Sequence, residues 1–405
     1  DGNQRGSGKA LREAFARKFS REFLGRFPEA IAQYAALREN TEELAALPAH
    51  DRGLYTFEYA VLMEEQGRYA DGLYGEALTM TDTKAHARLC ALEEPLARTV
   101  AHCRKIVSMV PEEQHSQPAF RQVYTALGKG LGQLGLLDEE AALYESAVKL
   151  GVYPSTDQRS GFRVQDLEMT HKPPVMVRIK HQPPVPDWKQ FDSIAAAVAE
   201  LEGAAHTIRE EFLGVVGGLE GLAAGNGFGL DVENLTNSGS WYQRTYIKDG
   251  AKITSASGQG APFAETFPAT TAIVDRVLGG VGGAGHALPE SSVELSMMSP
   301  GTHVRRHCGP VNHKWRLHLA LVVPEPEGSA RLRVASETLL WQEGKILLFD
   351  DSYEHEVWND GETPRAVLII DLWHPEIVDE SVRDVIRSVL GIGAKGTTAE
   401  QMQRQ

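Results

Sequence analysis

Cysteine is scarce in this chain: Cys90, Cys103 and Cys308 are all that 405 residues contain. They are too few and too scattered for a disulfide framework, and no Cys-x-x-Cys pair marks a zinc site. Positive charge is short as well. Lys and Arg number 41 against 55 Asp and Glu, leaving a net charge of −14. That balance argues against nucleic acid or an anionic membrane as a partner. No apolar run is long enough to cross a bilayer, so no membrane segment is expected. The chain opens at Asp1, not Met, with a polar Gly/Ser-rich stretch, so a mature or engineered start stays open, and with it a lost signal or anchor. What is present, 42% hydrophobic and 24% charged residues, suits a globular protein of two or three domains.

The sequence changes character near residues 170–187. Before that stretch it is rich in Ala, Leu, Glu and Arg at helical spacing. Tyr124-x-x-Leu127-Gly128-x-x-Leu131, followed by Gly135, Tyr144 and Ala147, fits the spacing of a tetratricopeptide (TPR) unit. Tyr59, Ala60, Met63 and Gly67 stand about two 34-residue periods earlier in matching places. Lys172-Pro173-Pro174-Val175 and Gln182-Pro183-Pro184-Val185-Pro186 cannot continue a helix. A helix is expected at about 190–212. Beyond about residue 288 come short β-rich runs: Val293–Met298, Trp315–Val323, Ala330–Ala335, Lys345–Phe349, His355–Trp358 and Arg365–Leu372. Many short strands at regular spacing predict a jelly roll, the double-stranded β-helix. The expected organisation is α+β: TPR-like helices over 1–170, a Pro-rich linker over 171–187, a jelly roll over 188–376 and a helical or flexible tail over 377–405.

Chemistry gathers in the β-rich half. His307 precedes Gly309-Pro310, in what reads as a loop feeding a strand, and His355 closes the acidic turn Asp350-Asp351-Ser352-Tyr353-Glu354. Neutral imidazoles suit Fe(II). A facial triad would add a carboxylate two residues after its first histidine, and that position is Gly309. Cys308 and His307 are neighbours, and strand neighbours face opposite ways, so Cys308 is not expected to share a metal with it. Asp351, Glu354 and Glu356 are possible ligands or orienting partners. Arg316 and His318 alternate on one strand and share a face, with Trp315, Leu317, Leu319 and Leu321 on the other. Arg365 opens an apolar strand, where a guanidinium can clamp a carboxylate. Each residue alone has a structural explanation; together they form a set. Gly280-Val281-Gly282-Gly283-Ala284-Gly285 matches a dinucleotide fingerprint in letters only, because a helical pattern precedes it where a strand is needed. His303 reads as structural or as a partner to a ligand.

The ordered motifs Ser296-Met297-Met298, Pro300-Gly301-Thr302-His303-Val304, His307-x-Gly309-Pro310, Arg316-Leu317-His318-Leu319, Phe349-Asp350-Asp351-Ser352, Glu354-His355-Glu356-Val357-Trp358 and Trp373-His374-Pro375 resemble the oxygenase domain of the aspartyl/asparaginyl β-hydroxylase family. The resemblance implies Fe(II) held by His307 and His355 alone, with Gly309 as the family's glycine. It implies 2-oxoglutarate against Ser296, Arg316 and His318, with Arg365 on its distal carboxylate and O2 as oxidant. It places Trp241 and Gln243 near co-substrate and peptide, and implies a peptide or protein substrate carrying Asp or Asn. If the chain follows animal members it would work in the endoplasmic-reticulum lumen, and otherwise in the cytoplasm. It departs from those members in two places: Glu294 stands where they have lysine, and 251–267 lacks their cysteine pair. Relatives also hydroxylate other things, including lipid A acyl chains, so a non-peptide substrate stays open, as do a catalytically silent TPR scaffold with a degenerate jelly roll and a cupin-like metal enzyme without 2-oxoglutarate.

Overall fold

A computed structural model describes residues 96–177, 179–180, 182–223, 228–230, 235–248, 250–254, 261–279 and 292–390. Cys90, the Tyr59–Gly67 half of the repeat pattern, the Gly280–Gly285 run and residues 391–405 lie outside them. Two compact units divide at Val152/Tyr153.

In the first unit, α1 (Leu96–Met109), α2 (Pro118–Gln133) and α3 (Leu137–Lys149) follow one another. Pro118 opens α2 at the position where proline's missing N–H is harmless. Gly135, at φ +74°, turns the chain into α3. Tyr124, Leu127, Leu131 and Ala147 are buried. A Cβ on Gly128 would overlap the Tyr144 phenol, so glycine there lets the two helices close. The Leu-Gly…Tyr spacing thus has a packing cause in one helical hairpin. The described residues hold a helical region and no repeated array.

The second unit begins upstream of the boundary expected near 170. Val164 and Leu167 are fully buried with Trp373, Ile377 and Ile386, which ties 153–170 to the β-rich half. The Pro-rich stretch is also laid against this unit: Val177 joins the same cluster, and the Asp350 N–H donates to Pro184 O at 3.0 Å. Part of the expected tail is α6 (Glu380–Leu390), held by Ile386. Between them run α4 (Asp192–Val216) and α5 (Pro268–Gly279).

The strands are β1 (Gly229–Leu230), β2 (Thr236–Ser238), β3 (Trp241–Lys248), β4 (Ala251–Lys252), β5 (Val293–Met298), β6 (Thr302–His307), β7 (Lys314–Val322), β8 (Ala330–Val334), β9 (Glu337–Leu340), β10 (Ile346–Phe349), β11 (His355–Asn359) and β12 (Arg365–Trp373). They form two antiparallel sheets. One runs β1-β3-β5-β12-β7-β10 with β4 beside β3, and the other runs β2-β6-β11-β8-β9. Leu295, Leu317, Leu319, Leu368 and Ile370 turn one face of the larger sheet to Ile208 and Phe212 of α4 and Val274 of α5. Its other face meets the smaller sheet through Met298, Ala320, Val367 and Ile369 against Val304, Leu332, Val334 and Val357. The helices therefore cover the outside of the larger sheet and leave its inner face for chemistry. No helix among the described residues is long and apolar enough to cross a membrane.

Candidate active site

Register decides which side chains meet. On the larger sheet, Gln243 pairs with Ser296, Ser296 with Val367, and Val367 with Ala320. The adjoining rows run Thr245–Glu294–Ile369–His318 and Trp241–Met298–Arg365, with Asp371 opposite Arg316. Val367 and Ile369 pack in the core between the sheets. By the period of two, Trp241, Gln243, Glu294, Ser296, Arg316, His318, Arg365 and Asp371 all share that inner face.

The histidines come from the smaller sheet. His355 opens β11 and pairs with His307, which ends β6 as a strand residue and not in a loop. Val357 pairs with Val304. Two steps on β11 thus answer three on β6. The extra residue is a β-bulge, and it reverses the alternation so that His307 points inward with Val304. The rings lie 4.1 Å apart, centroid to centroid, at 54°. His307 Nδ1 is 2.8 Å from Arg305 O, and His355 Nδ1 is 2.9 Å from Tyr353 O. A carbonyl can only accept, so Nδ1 carries the proton in both rings and Nε2 is the unprotonated nitrogen of each. Burial first, then the neighbouring His307, holds His355 well below the ordinary imidazole range, so it is neutral. Among the described residues, no group of three or more His, Cys, Asp and Glu side chains is placed to hold a metal.

Gly309 has a steric cause. A Cβ there would stand 2.7 Å from the Asp351 carboxyl carbon and 2.9 Å from Asp351 O, and the Gly309 N–H already donates to that carbonyl at 2.6 Å. Asp351 fills the room a side chain at 309 would take. Asp351 Oδ2 lies 3.4 Å from Lys314 Nζ and 3.5 Å from Arg316 Nε. Asp371 completes the cluster. It takes two hydrogen bonds from Arg316, at 2.8 and 2.9 Å, and one from Lys314. Arg316 is therefore a cation with a resident partner. Asp371 and Lys314 were not singled out from the sequence, although a lone aspartate in the apolar run Val367–Leu372 is the signal that could have found them.

Arg365 is different. It is 2% exposed, and its Nε and Nη1 have no hydrogen-bond partner. Nη2 meets only the Met298 sulfur at 2.6 Å, and the guanidinium lies 4.7 Å from the centre of the Trp341 ring. Burial pulls it down to about 9, the mark of a buried cation short of an anion. Both nitrogens of His318 are buried without a partner, and its ring stacks on Trp341 at 6.0 Å. Burial, then Arg365 and Arg316, keep His318 neutral. Ser296 Oγ accepts from Trp241 Nε1 at 2.9 Å and keeps its own hydrogen to donate. An unpaired cation, an unpaired imidazole and a free hydroxyl donor on one face fit a small bound carboxylate, and the paired Nε2 atoms fit a divalent metal.

Residues 203–375 match the family described as Aspartyl/Asparaginyl beta-hydroxylase. The chain is 34% identical over 268 residues to the human aspartyl/asparaginyl beta-hydroxylase, covering 65% of this chain and 30% of that protein. These residues belong to the aspartyl/asparaginyl β-hydroxylase family. The chain is also 33% identical over 193 residues to the ornithine lipid ester-linked acyl 2-hydroxylase of Rhizobium tropici, covering 48% and 61% of the two. A solved Pseudomonas putida prolyl-4-hydroxylase aligns with 12% identity and a TM-score of 0.25, over 44% of this chain and 88% of that one. The chain thus spans less than a third of the human relative's length.

Within the family domain, Glu294 is 8% exposed on the inner face, and its charge acts on Arg316. Asp350 is fully buried; burial, with Asp351 nearby, raises it to about 7. Between the ordinary carboxylate range and about 7, the folded state holds a proton that the unfolded chain has released. Stability from this group therefore falls as pH rises through that window. Asp350→Asn keeps the acceptor for the Ser352 N–H at 2.9 Å. In metal-free protein it should flatten the loss of thermal stability between about pH 4 and about pH 7. An unchanged slope in thermal melts would remove Asp350 as its source.

Proposed function

We propose that this domain is an Fe(II)- and 2-oxoglutarate-dependent dioxygenase that hydroxylates a C–H bond, with the β-carbon of Asp or Asn in a peptide as its target. The observation that carries this is the buried, unpaired Arg365 on the inner face of the larger sheet, with the His307–His355 pair on the smaller sheet. Bound iron and O2 would supply the oxidation, decarboxylating 2-oxoglutarate to succinate and CO2 and adding one oxygen to the substrate. His307 and His355 would hold the metal. Ser296, His318 and Arg365 would hold the co-substrate, and Arg365 would give its open guanidinium edge to the distal carboxylate. Arg316, fixed by Asp371, would keep one side toward the bound acids. Trp241 would orient Ser296 through its indole N–H. Gln243, in the same row as Ser296, would meet the peptide.

Glu294 refines the target. A carboxylate on the inner wall repels an acidic side chain and accepts from an amide, so Asn is favoured over Asp. The test is an incubation of the full chain with Fe(II), 2-oxoglutarate and paired peptides differing only in Asn or Asp. Succinate release matched by one added oxygen on the Asn peptide is the expected result. Metal-dependent succinate release with neither peptide modified would point to another substrate, such as the acyl chain named for the Rhizobium relative. No succinate under any condition would end the dioxygenase reading. Glu294→Gln should narrow the Asn-over-Asp preference, read as the ratio of kcat/KM values.

A further inference from the structure

The two histidines sit at the ends of separate segments: Cys308–Asn312 leaves His307, and Asp350–Glu354 enters His355. A third segment, Ser155–Val164, joins both. Gln158 Nε2 donates to Ser352 Oγ at 2.9 Å, and Gln158 forms a β-bridge with Tyr353. The Glu354 N–H donates to Asp157 O at 2.6 Å, and Arg159 Nη2 donates to Glu354 Oε2 at 2.9 Å. Those contacts hold the segment before His355. On the other side, Ser160 Oγ donates to Gly309 O at 2.9 Å, and the Phe162 N–H donates to Pro310 O at 3.0 Å. Phe162 bridges Val311, and the Val164 N–H donates to Asn312 Oδ1 at 3.0 Å. Gln158, Arg159 and Ser160 are buried, so these bonds are formed away from water, where losing one partner leaves the other unsatisfied. The strap precedes the residues that match the family.

We propose that Ser155–Val164 is a positioning strap that sets the spacing of His307 and His355, and through it the affinity of the site for a divalent metal. The proposal rests on the reading of those histidines as metal ligands. His355 Nδ1 is anchored on Tyr353 O within the segment that enters it, and His307 Nδ1 on Arg305 O in β6, whose end continues into Cys308–Asn312, so ring placement follows backbone placement. Only the pair holds the metal, with no third protein ligand at 309 to correct an error in spacing. A brace across both segments therefore matters more here than in a site with three ligands.

The test is Mn(II) binding to the full chain with 2-oxoglutarate present, followed by loss of the free-ion EPR signal. Gln158→Ala and Arg159→Ala should weaken Mn(II) binding by roughly 10- to 100-fold, the range for removing outer partners of metal ligands. Arg209→Ala, on α4 and bonded to Leu321 O at 3.0 Å, is the control. It should lower metal-free thermal stability without moving Mn(II) affinity. Strap variants that lose stability but bind Mn(II) like the wild type would overturn the proposal, leaving the strap an ordinary fold brace. Wild-type protein that shows no His355-dependent Mn(II) uptake would instead overturn the metal-site reading beneath it.

Discussion

His355→Ala should eliminate metal-dependent succinate release, and His307→Ala should do the same. The structure explains why the loss should be near complete. Among the described residues no third donor joins the pair, and Gly309 has no room to gain one because Asp351 already occupies that space. Removing an outer partner of a metal ligand costs about 10- to 100-fold in affinity or activity; on the proposed reading each histidine is half of the protein's ligand set, so its removal must exceed that. His355 is 4% exposed, and its ring packs against Phe349 at 5.3 Å, so alanine also leaves a gap there. His355→Gln, which keeps more of the side-chain volume, should be equally inactive. Succinate release at wild-type rates in both histidine variants would show that the metal, if any, lies elsewhere.

Arg365→Met is expected to weaken 2-oxoglutarate binding by roughly 10- to 100-fold, the worth of charge-assisted hydrogen bonds to a carboxylate. The substitution keeps an unbranched side chain against Trp341. It also removes a buried charge whose Nε and Nη1 have no partner, so the ligand-free protein should be no less stable than wild type. The two effects have opposite signs, which makes the experiment decisive. 2-Oxoglutarate should raise the Tm of metal-loaded wild-type protein and fail to raise that of the variant at the same concentration. Metal affinity should be unchanged, since Arg365 is on β12 and the histidines are on β6 and β11. An equal ligand-induced Tm shift in both proteins would assign the distal carboxylate to another group.

The sequence showed the β-rich half at close range. Val293–Met298 is a strand with those very bounds, and Arg316 with His318 could be set on one face because period 2 is a covalent property of extended chain. The helix expected at about 190–212 runs from Asp192 to Val216. β6 was legible only as a loop because its bulge breaks the alternation that marks a strand. β3 was missed for a related reason: Trp241-Tyr242-Gln243-Arg244 lacks clean alternation of apolar and polar residues, since its inner face serves a site. The domain edge near 170 followed prolines, whereas the unit begins at Tyr153, because the contacts of 155–164 reach residues more than a hundred positions away.

By itself, the sequence determined which chemistry was on offer: two histidines with glycine where a triad carboxylate would follow the first, an arginine at a strand start, and the motifs of one hydroxylase family. Local spacing and residue type carry that information, and both are one-dimensional. Tertiary structure alone decided what each charge does. Arg316 and Arg365 look alike as letters, yet Asp371 neutralises one while burial leaves the other waiting for an anion. Gly309 reads as a missing ligand, yet it is the space that Asp351 fills. Those outcomes depend on cross-strand register and desolvation, which arise only when distant segments pack and water leaves.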